Sequence, residues 1–195
     1  MMSYGASITG NPLMYDETRI VVKCRKNYKE KSELIKFISS NNLFKYKTNK
    51  SIPKRVSTIF KRINDLDEEI LAYLKINNGD ESRLIVLFSI YLTNTIVYDF
   101  INEFLSKKIL TGDMNVNKLE VDAFLDDKKK ELQVMNKWTD ATISKISVIL
   151  RKILKEANIL TSKNIIKIPI YNHKFINLLE QNNKGRLFVS KLTKI

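Results

Sequence analysis

Along most of this chain apolar residues recur at intervals of three and four, the spacing that gathers side chains on one face of an α-helix. An irregular stretch, residues 1–15, comes first, with Asn11-Pro12 as a turn. A helix is predicted over 17–27, with Ile20, Val21 and Cys24 on one face. A second is predicted over 29–40, with Leu34, Phe37 and Ile38 inward, and Asn41-Asn42 breaks it. A polar link, 45–50, leads to a third helix that starts near Ser51-Ile52-Pro53, where proline has no helical amide bond to lose. In that helix Val56, Ile59, Phe60 and Ile63 stand at i, i+3, i+4 and i+7 and form one apolar stripe. Lys54, Thr58 and Lys61 lie opposite it, and Arg55, Ser57 and Arg62 flank it.

The second half continues in the same period. A short helix over 67–74 carries acids in its first turn, where the helix dipole favours them, and Asn77-Asn78-Gly79 ends it. Residues 81–108 read as one long, strongly apolar central helix, followed by a break at Thr111-Gly112. An amphipathic helix over 118–135 is expected to turn Leu119, Phe124, Leu125 and Leu132 inward. Thr139 caps the next helix, which runs to Ala157 and buries Ile143, Ile146, Leu150, Ile153, Leu154 and Ala157. The β-branched stretch 165–170, with Pro169 near its end, is a candidate short strand or wing, and a helix over 175–181 closes the pattern. The predicted fold is all-α, a compact bundle around the central apolar helix. A basic N-terminal lobe, 1–75, contains a helix-turn-helix-like helix, and a C-terminal bundle, 76–195, shares its core.

Composition narrows the function. Among 195 residues 44% are hydrophobic, enough for a sizeable core, while 5 glycines and 3 prolines leave little room for tight turns. The net charge of +13 is segregated. Residues 1–63 hold 14 basic and 4 acidic side chains, 64–136 hold 8 and 14, and 137–195 hold 12 and 3. Two basic segments thus flank an acidic middle, the electrostatic footprint of a polyanion-binding protein. One cysteine, Cys24, excludes a disulfide within the chain and suits a reducing, cytoplasmic compartment. No basic start followed by an apolar run suggests a signal peptide. The most apolar run, 84–98, is interrupted by Ser89, Thr93, Asn94 and Thr95, so a buried core helix is expected there and no membrane span.

Catalytic chemistry has few candidates. The one histidine, His173, stands between Asn172 and Lys174 without a second histidine or cysteine nearby, so neither a zinc nor a haem site nor a serine–histidine pair is expected. No two glycines have the spacing of a phosphate loop. Asp126 and Asp127 adjoin Lys128, Lys129 and Lys130 on what reads as a solvated helix face, and Trp138 reads as a core anchor. The expectation is a non-enzyme with no cofactor and no metal.

The basic run is the informative motif. Residues 45–64 hold seven cations and no acid, whereas a merely solvated helix face ordinarily mixes signs. Two helices joined by a polar link are compatible with a helix-turn-helix or winged variant, although the link exceeds the usual tight turn. The predicted nucleic-acid contacts are Lys45, Lys47, Lys50, Lys54, Arg55, Ser57, Thr58, Lys61 and Arg62. Lys145, Arg151, Lys152 and Lys155 of the helix after Thr139 join them. Lysines and hydroxyls suit phosphates, and only arginine matches guanine edges well, so phosphate positioning should dominate. Tyr46 is the only aromatic of the run outside the apolar stripe, which favours double-stranded DNA over single strands or RNA.

The order of motifs is similar to that of one family. Tyr4-Gly5-Ala6-Ser7-Ile8, Asp16-Glu17-Thr18-Arg19, the basic 51–63 segment with Arg55 and Lys61-Arg62-Ile63, and Tyr98-Asp99-Phe100-Ile101 resemble the BrxA family of BREX phage-defence systems. So do 138–145 and the stretch 150–160 with its Glu156-Ala157-Asn158-Ile159-Leu160. This resemblance spans nearly the whole chain. It implies a small helical protein with a NusB-like shape that binds DNA within a multi-gene defence system. Such systems also encode a DNA methyltransferase, a large ATPase, a phosphatase-like protein and often a Lon-like protease. None of those activities is expected in this chain, and the methyltransferase and ATPase components are the implied protein partners. Lysines replace some arginines of the family's basic helix, which favours backbone over base-specific contacts. The NusB likeness keeps RNA open as a ligand, and a scaffold that docks acidic proteins is the third alternative.

Overall fold

The computed structural model describes residues 6–168 and 170–192; Tyr4 and Gly5 of the opening motif, and Pro169, lie outside them. A 3-10 turn, Ala6–Gly10, leads into α1 (Tyr15–Arg25), α2 (Lys31–Ser40), α3 (Ile52–Ile63) and α4 (Glu68–Ile76). Next come α5 (Asp80–Thr93), α6 (Thr95–Asp99), a π-helical turn (Phe100–Leu105) and α7 (Ser106–Thr111). The chain continues with α8 (Lys118–Glu131), a 3-10 turn (Gln133–Lys137), α9 (Asp140–Glu156), α10 (His173–Glu180) and α11 (Asn183–Leu192). The predicted all-α class holds.

The core is organised on α5. Every residue from Leu84 to Leu92 is buried, as a helix apolar on all sides must be. It packs against α1, α3, α4, α9 and α11. The predicted single helix over 81–108 is interrupted. Asn94 adopts an extended backbone, and its side-chain oxygen accepts from the Val97 amide at 3.2 Å, so it caps a new helix. Asparagine competes for backbone donors in this way, and an apolar-periodicity count does not register it. The π-helical turn that follows places Phe100 and Phe104 on Phe124 of α8, with ring centroids 5.6 and 5.7 Å away.

Two further expectations need correction. Leu119 is 78% exposed, because the inward face of α8 is set by Val121 and Leu125, one turn apart, and Leu119 falls opposite them. The helix also stops at Glu131, short of 135, and Met135 is buried by the 3-10 turn instead. The stretch 165–170 contributes two isolated bridges, Asn115 with Ile165 and Leu160 with Ile166, and no regular strand forms among its described residues.

The pattern also does not stop at 181. Helix α11 turns back onto α5, where the Phe188 ring lies 5.1 Å from Phe88 and 4.9 Å from Tyr91. Gly185 lies inside α11, where the Leu179 carbonyl crosses close to it. A Cβ on Gly185 would fall 1.9 Å from that oxygen. Gly185→Ala should therefore destabilise the protein by about 1–3 kcal/mol through forced separation of α10 and α11. Urea unfolding checks it, and wild-type stability in the variant would refute the close crossing.

Candidate nucleic-acid interface

Helix α3 is gripped on several sides, by α1, α2 and α5. Val56, Ile59 and Ile63 are fully buried, as their spacing predicted, and Ile52 is buried with them. Phe60 is only partly so, under the Arg25 guanidinium, which lies 5.3 Å from its ring centre. What remains outward is a second stripe at i, i+3, i+4 and i+7, made of Lys54, Ser57, Thr58 and Lys61. Lys54 and Lys61 are exposed, and the two hydroxyl residues between them are half-buried. The Thr58 hydroxyl donates to the Lys54 carbonyl at 2.9 Å, so its proton is engaged within the helix.

The structure withdraws Arg62 from the predicted contact set. Arg62 is 5% exposed, and its guanidinium donates to the carbonyls of Asn11 (2.7 Å), Pro12 (3.0 Å) and Leu13 (3.4 Å). Burial lowers its pKa to about 10, so it stays charged at neutral pH. A position flanking an apolar stripe points either to solvent or into a neighbouring segment, and here residues 11–13 run beside it. Arg62→Ala should cost on the order of 3 kcal/mol, because two buried carbonyls and one partly buried carbonyl lose a charged donor. Chemical denaturation of the variant checks this, and a change below about 0.5 kcal/mol, the usual surface value, would contradict the clamp.

Arg55 lies on the same side of α3, half-buried, with its guanidinium 5.2 Å from the Tyr46 ring centre. The Tyr46 hydroxyl donates to Glu17 of α1. Burial and that carboxylate push its pKa well above the ordinary tyrosine value. The Tyr46 backbone is bracketed by the Asn42 side chain, which donates to its carbonyl at 2.8 Å and accepts from its amide at 3.0 Å. The link between α2 and α3 is thus a built turn, from which Lys45, Lys47 and Lys50 project into solvent.

Arg55 and Lys152 of α9 line one depression, together with Arg83 of α5. Here the first and last basic segments meet, but Asp16, Glu17 and Glu156 line it too, so the charges balance. Lys152 stands 3.7 Å from Glu156. Among the other predicted residues of α9, Lys145 is exposed. Arg151 faces Asp122: burial opposes that carboxylate's charge, yet Lys118, Ser147 and Arg151 hold its pKa below the ordinary value. Lys155 donates to the Ser162 carbonyl at 3.3 Å.

Two cations that local pattern did not single out, Arg25 and Lys184, gather with Lys61 at the C-terminal end of α3. Lys61 and Lys184 line one recess with Phe60, Asn64 and Asp65. Arg25, above Phe60, donates to the Asn64 side chain at 3.4 Å. No sequence signal links positions 25, 61 and 184, which only the packing of α1, α3 and α11 brings near one another.

Ion pairing divides the molecule sharply. Lys108, 7% exposed, reaches Asp113 and Glu120, each at 2.6 Å. Lys128 binds Glu103 and Glu131, Lys130 binds Asp127, Lys129 approaches Asp140, and Lys118 pairs with Asp122. The acidic middle thus neutralises much of itself. Among the described residues no ion pair involves any of the 14 cations of residues 1–63.

A family model described as BrxA matches residues 2–183 of this chain. The chain belongs to the BrxA family. The BREX protein BrxA of Bacillus cereus (strain H3081.97) is 26% identical over 161 residues, covering 82% of this chain and 80% of that protein. A crystal structure of an uncharacterized protein from Magnetospirillum magneticum is similar with a TM-score of 0.82 at 17% identity, over 97% of this chain and 98% of that one. At that identity the likeness speaks for the fold alone. BrxA membership brings the role in BREX anti-phage defence that the motif order implied. Among the described residues, no helix is long and apolar enough to cross a membrane, and no group of three or more His, Cys, Asp or Glu side chains gathers as a metal site.

Proposed function

We propose that this chain is a non-enzymatic, double-stranded DNA-binding accessory protein of a BREX system, with the α3 stripe as its principal contact. The observation that carries this reading is the N-terminal charge left without internal ion pairs, 14 cations against 4 acids. Unpaired like charges repel one another and cost stability in the free protein. A polyanion removes that cost and releases its own counterions.

The shape of α3 supports a duplex. Lys54 and Lys61 stand seven residues apart, about 10 Å along the helix axis. That span is comparable to the roughly 12 Å width of a major groove. Lys45, Lys47 and Lys50 extend the cationic surface from the link, and Lys145 and Lys152 provide it on α9. Arginine is the side chain best suited to guanine edges, but Arg62 is occupied by carbonyls and Arg55 by Tyr46. The accessible donors are mostly lysines, which act as point charges on phosphate. Little base-sequence preference follows. The Tyr46 ring is partly occupied by Arg55 and lies 5.5 Å from Phe44, which favours duplex over single strands or RNA. The remaining BREX proteins, including the methyltransferase and ATPase components, are the expected partners, in the cytoplasm.

Duplex affinity should fall steeply with salt. Lys54→Ala combined with Lys61→Ala should flatten the log–log slope by about 1.8, at roughly 0.9 per lost phosphate contact. Stability should change by no more than about 0.5 kcal/mol per site, since both side chains are exposed. Titration of duplex DNA, single-stranded DNA and RNA at several salt concentrations checks this. Tighter binding to RNA would favour the NusB-type alternative, and absence of binding to any nucleic acid would favour a scaffold for acidic proteins.

A further inference from the structure

Beside α3 a second cationic surface lies where no local motif marked one. The groove between α1 and α4 has a floor of Val22 and Leu71, and Arg25, Lys26, Lys29 and Lys75 line it. One acid, Glu68, lies along it, and none of the four cations belongs to an ion pair. Helix dipoles account for part of the arrangement. Arg25 and Lys75 lie in the last turns of α1 and α4, where cations are favoured. The dipoles do not account for Lys29, which lies beyond the end of α1, and they supply no discrete counter-charge.

The groove is continuous with the α3 surface. Arg25 belongs to both: it lines the groove, covers the Phe60 ring and bonds Asn64. Phe60 and Asn64 in turn line the recess that holds Lys61 and Lys184. A row of cations, with Glu68 and Asp65 beside it, therefore runs from the α1–α4 groove, across the end of α3, to the start of α11. A row of this kind fits a regularly spaced line of negative charges better than a single compact anion.

We propose that the α1–α4 groove is a second phosphate-backbone site, so that one duplex bound at the α3 stripe continues across Arg25 into this groove. The inference rests on the DNA-binding reading above and extends it to a surface that reading does not require. It makes the binding site longer than α3 and assigns the α1–α4 face to nucleic acid.

The test compares full-length wild type with Lys26→Gln/Lys29→Gln/Lys75→Gln, with Glu68→Gln and with Lys54→Ala/Lys61→Ala. Each is titrated against a duplex of about 20 bp, roughly two helical turns. The groove triple should weaken binding about tenfold or more at low salt and flatten the salt slope by about 2–3. Glu68→Gln, which removes the only acid along the groove, should tighten binding, a gain that misfolding cannot mimic. Circular dichroism melting should shift by no more than the few degrees that losing the helix-end charges of Glu68 or Lys75 costs. If the groove triple keeps wild-type affinity and slope while the α3 double variant loses them, the groove proposal is overturned and the α3 reading stands. If wild type binds duplex without salt dependence, or not at all, both are overturned. Loss in the groove triple alone would support the groove and move the principal contact from α3 to α1 and α4.

Discussion

Three backbone carbonyls on one guanidinium hold the segment before α1 to α3. Arg62 fixes Asn11, Pro12 and Leu13 against α3, and the Leu13 amide donates to Glu156 of α9 at 3.0 Å. Glu156 also ties in α5, because Arg83 donates to its carbonyl at 2.9 Å. One short irregular segment is thereby held between the α3 surface and the helix that carries the last predicted cations. Buried carbonyls need donors, and a charged, many-armed donor can serve several at once.

Electrostatics then separates the tasks of the molecule. Where lysine side chains are partly withdrawn from water, as at Lys108 and Lys128, each has two carboxylates. Where they face solvent, on α3, on the link and along α1, they have none. Exposed ion pairs contribute little to stability, so leaving such charges unpaired has a modest energetic cost. The consequence is an uneven charge distribution, unpaired on the α1–α3 side and self-neutralised around α7 and α8.

Much of the fold was legible in the sequence, because period and caps are local. Val56, Ile59 and Ile63 identified the buried face of α3, and Thr139 does cap α9, accepting from the Thr142 amide at 3.2 Å. The errors arose where a competing cap, a shift of helix phase or a non-local partner decides. Asn94 breaks a helix that hydropathy alone continues, Leu119 shares a helix with inward neighbours but not their phase, and Gly185 is required by a crossing carbonyl six residues earlier in the chain. The candidate interface was half legible for the same reason. Lys54 and Lys61 face solvent as their phase requires, but phase could not tell Arg62 beside a free surface from Arg62 beside residues 11–13. Nor could it bring Arg25, Lys75 and Lys184 towards Lys61.

The return of α11 onto α5 has a consequence for the order in which the chain gains structure. Phe88 and Tyr91 belong to the most deeply buried helix, and part of their covering is Phe188, about a hundred positions later in synthesis. Contacts of such separation form slowly, because a long loop must close first. A nascent chain that has already assembled α1 to α5 still presents two aromatic rings until the last helix emerges. During that interval the cationic lobe is present while the apolar face behind it is open. Like-charge repulsion between neighbouring nascent copies then opposes their association through that face.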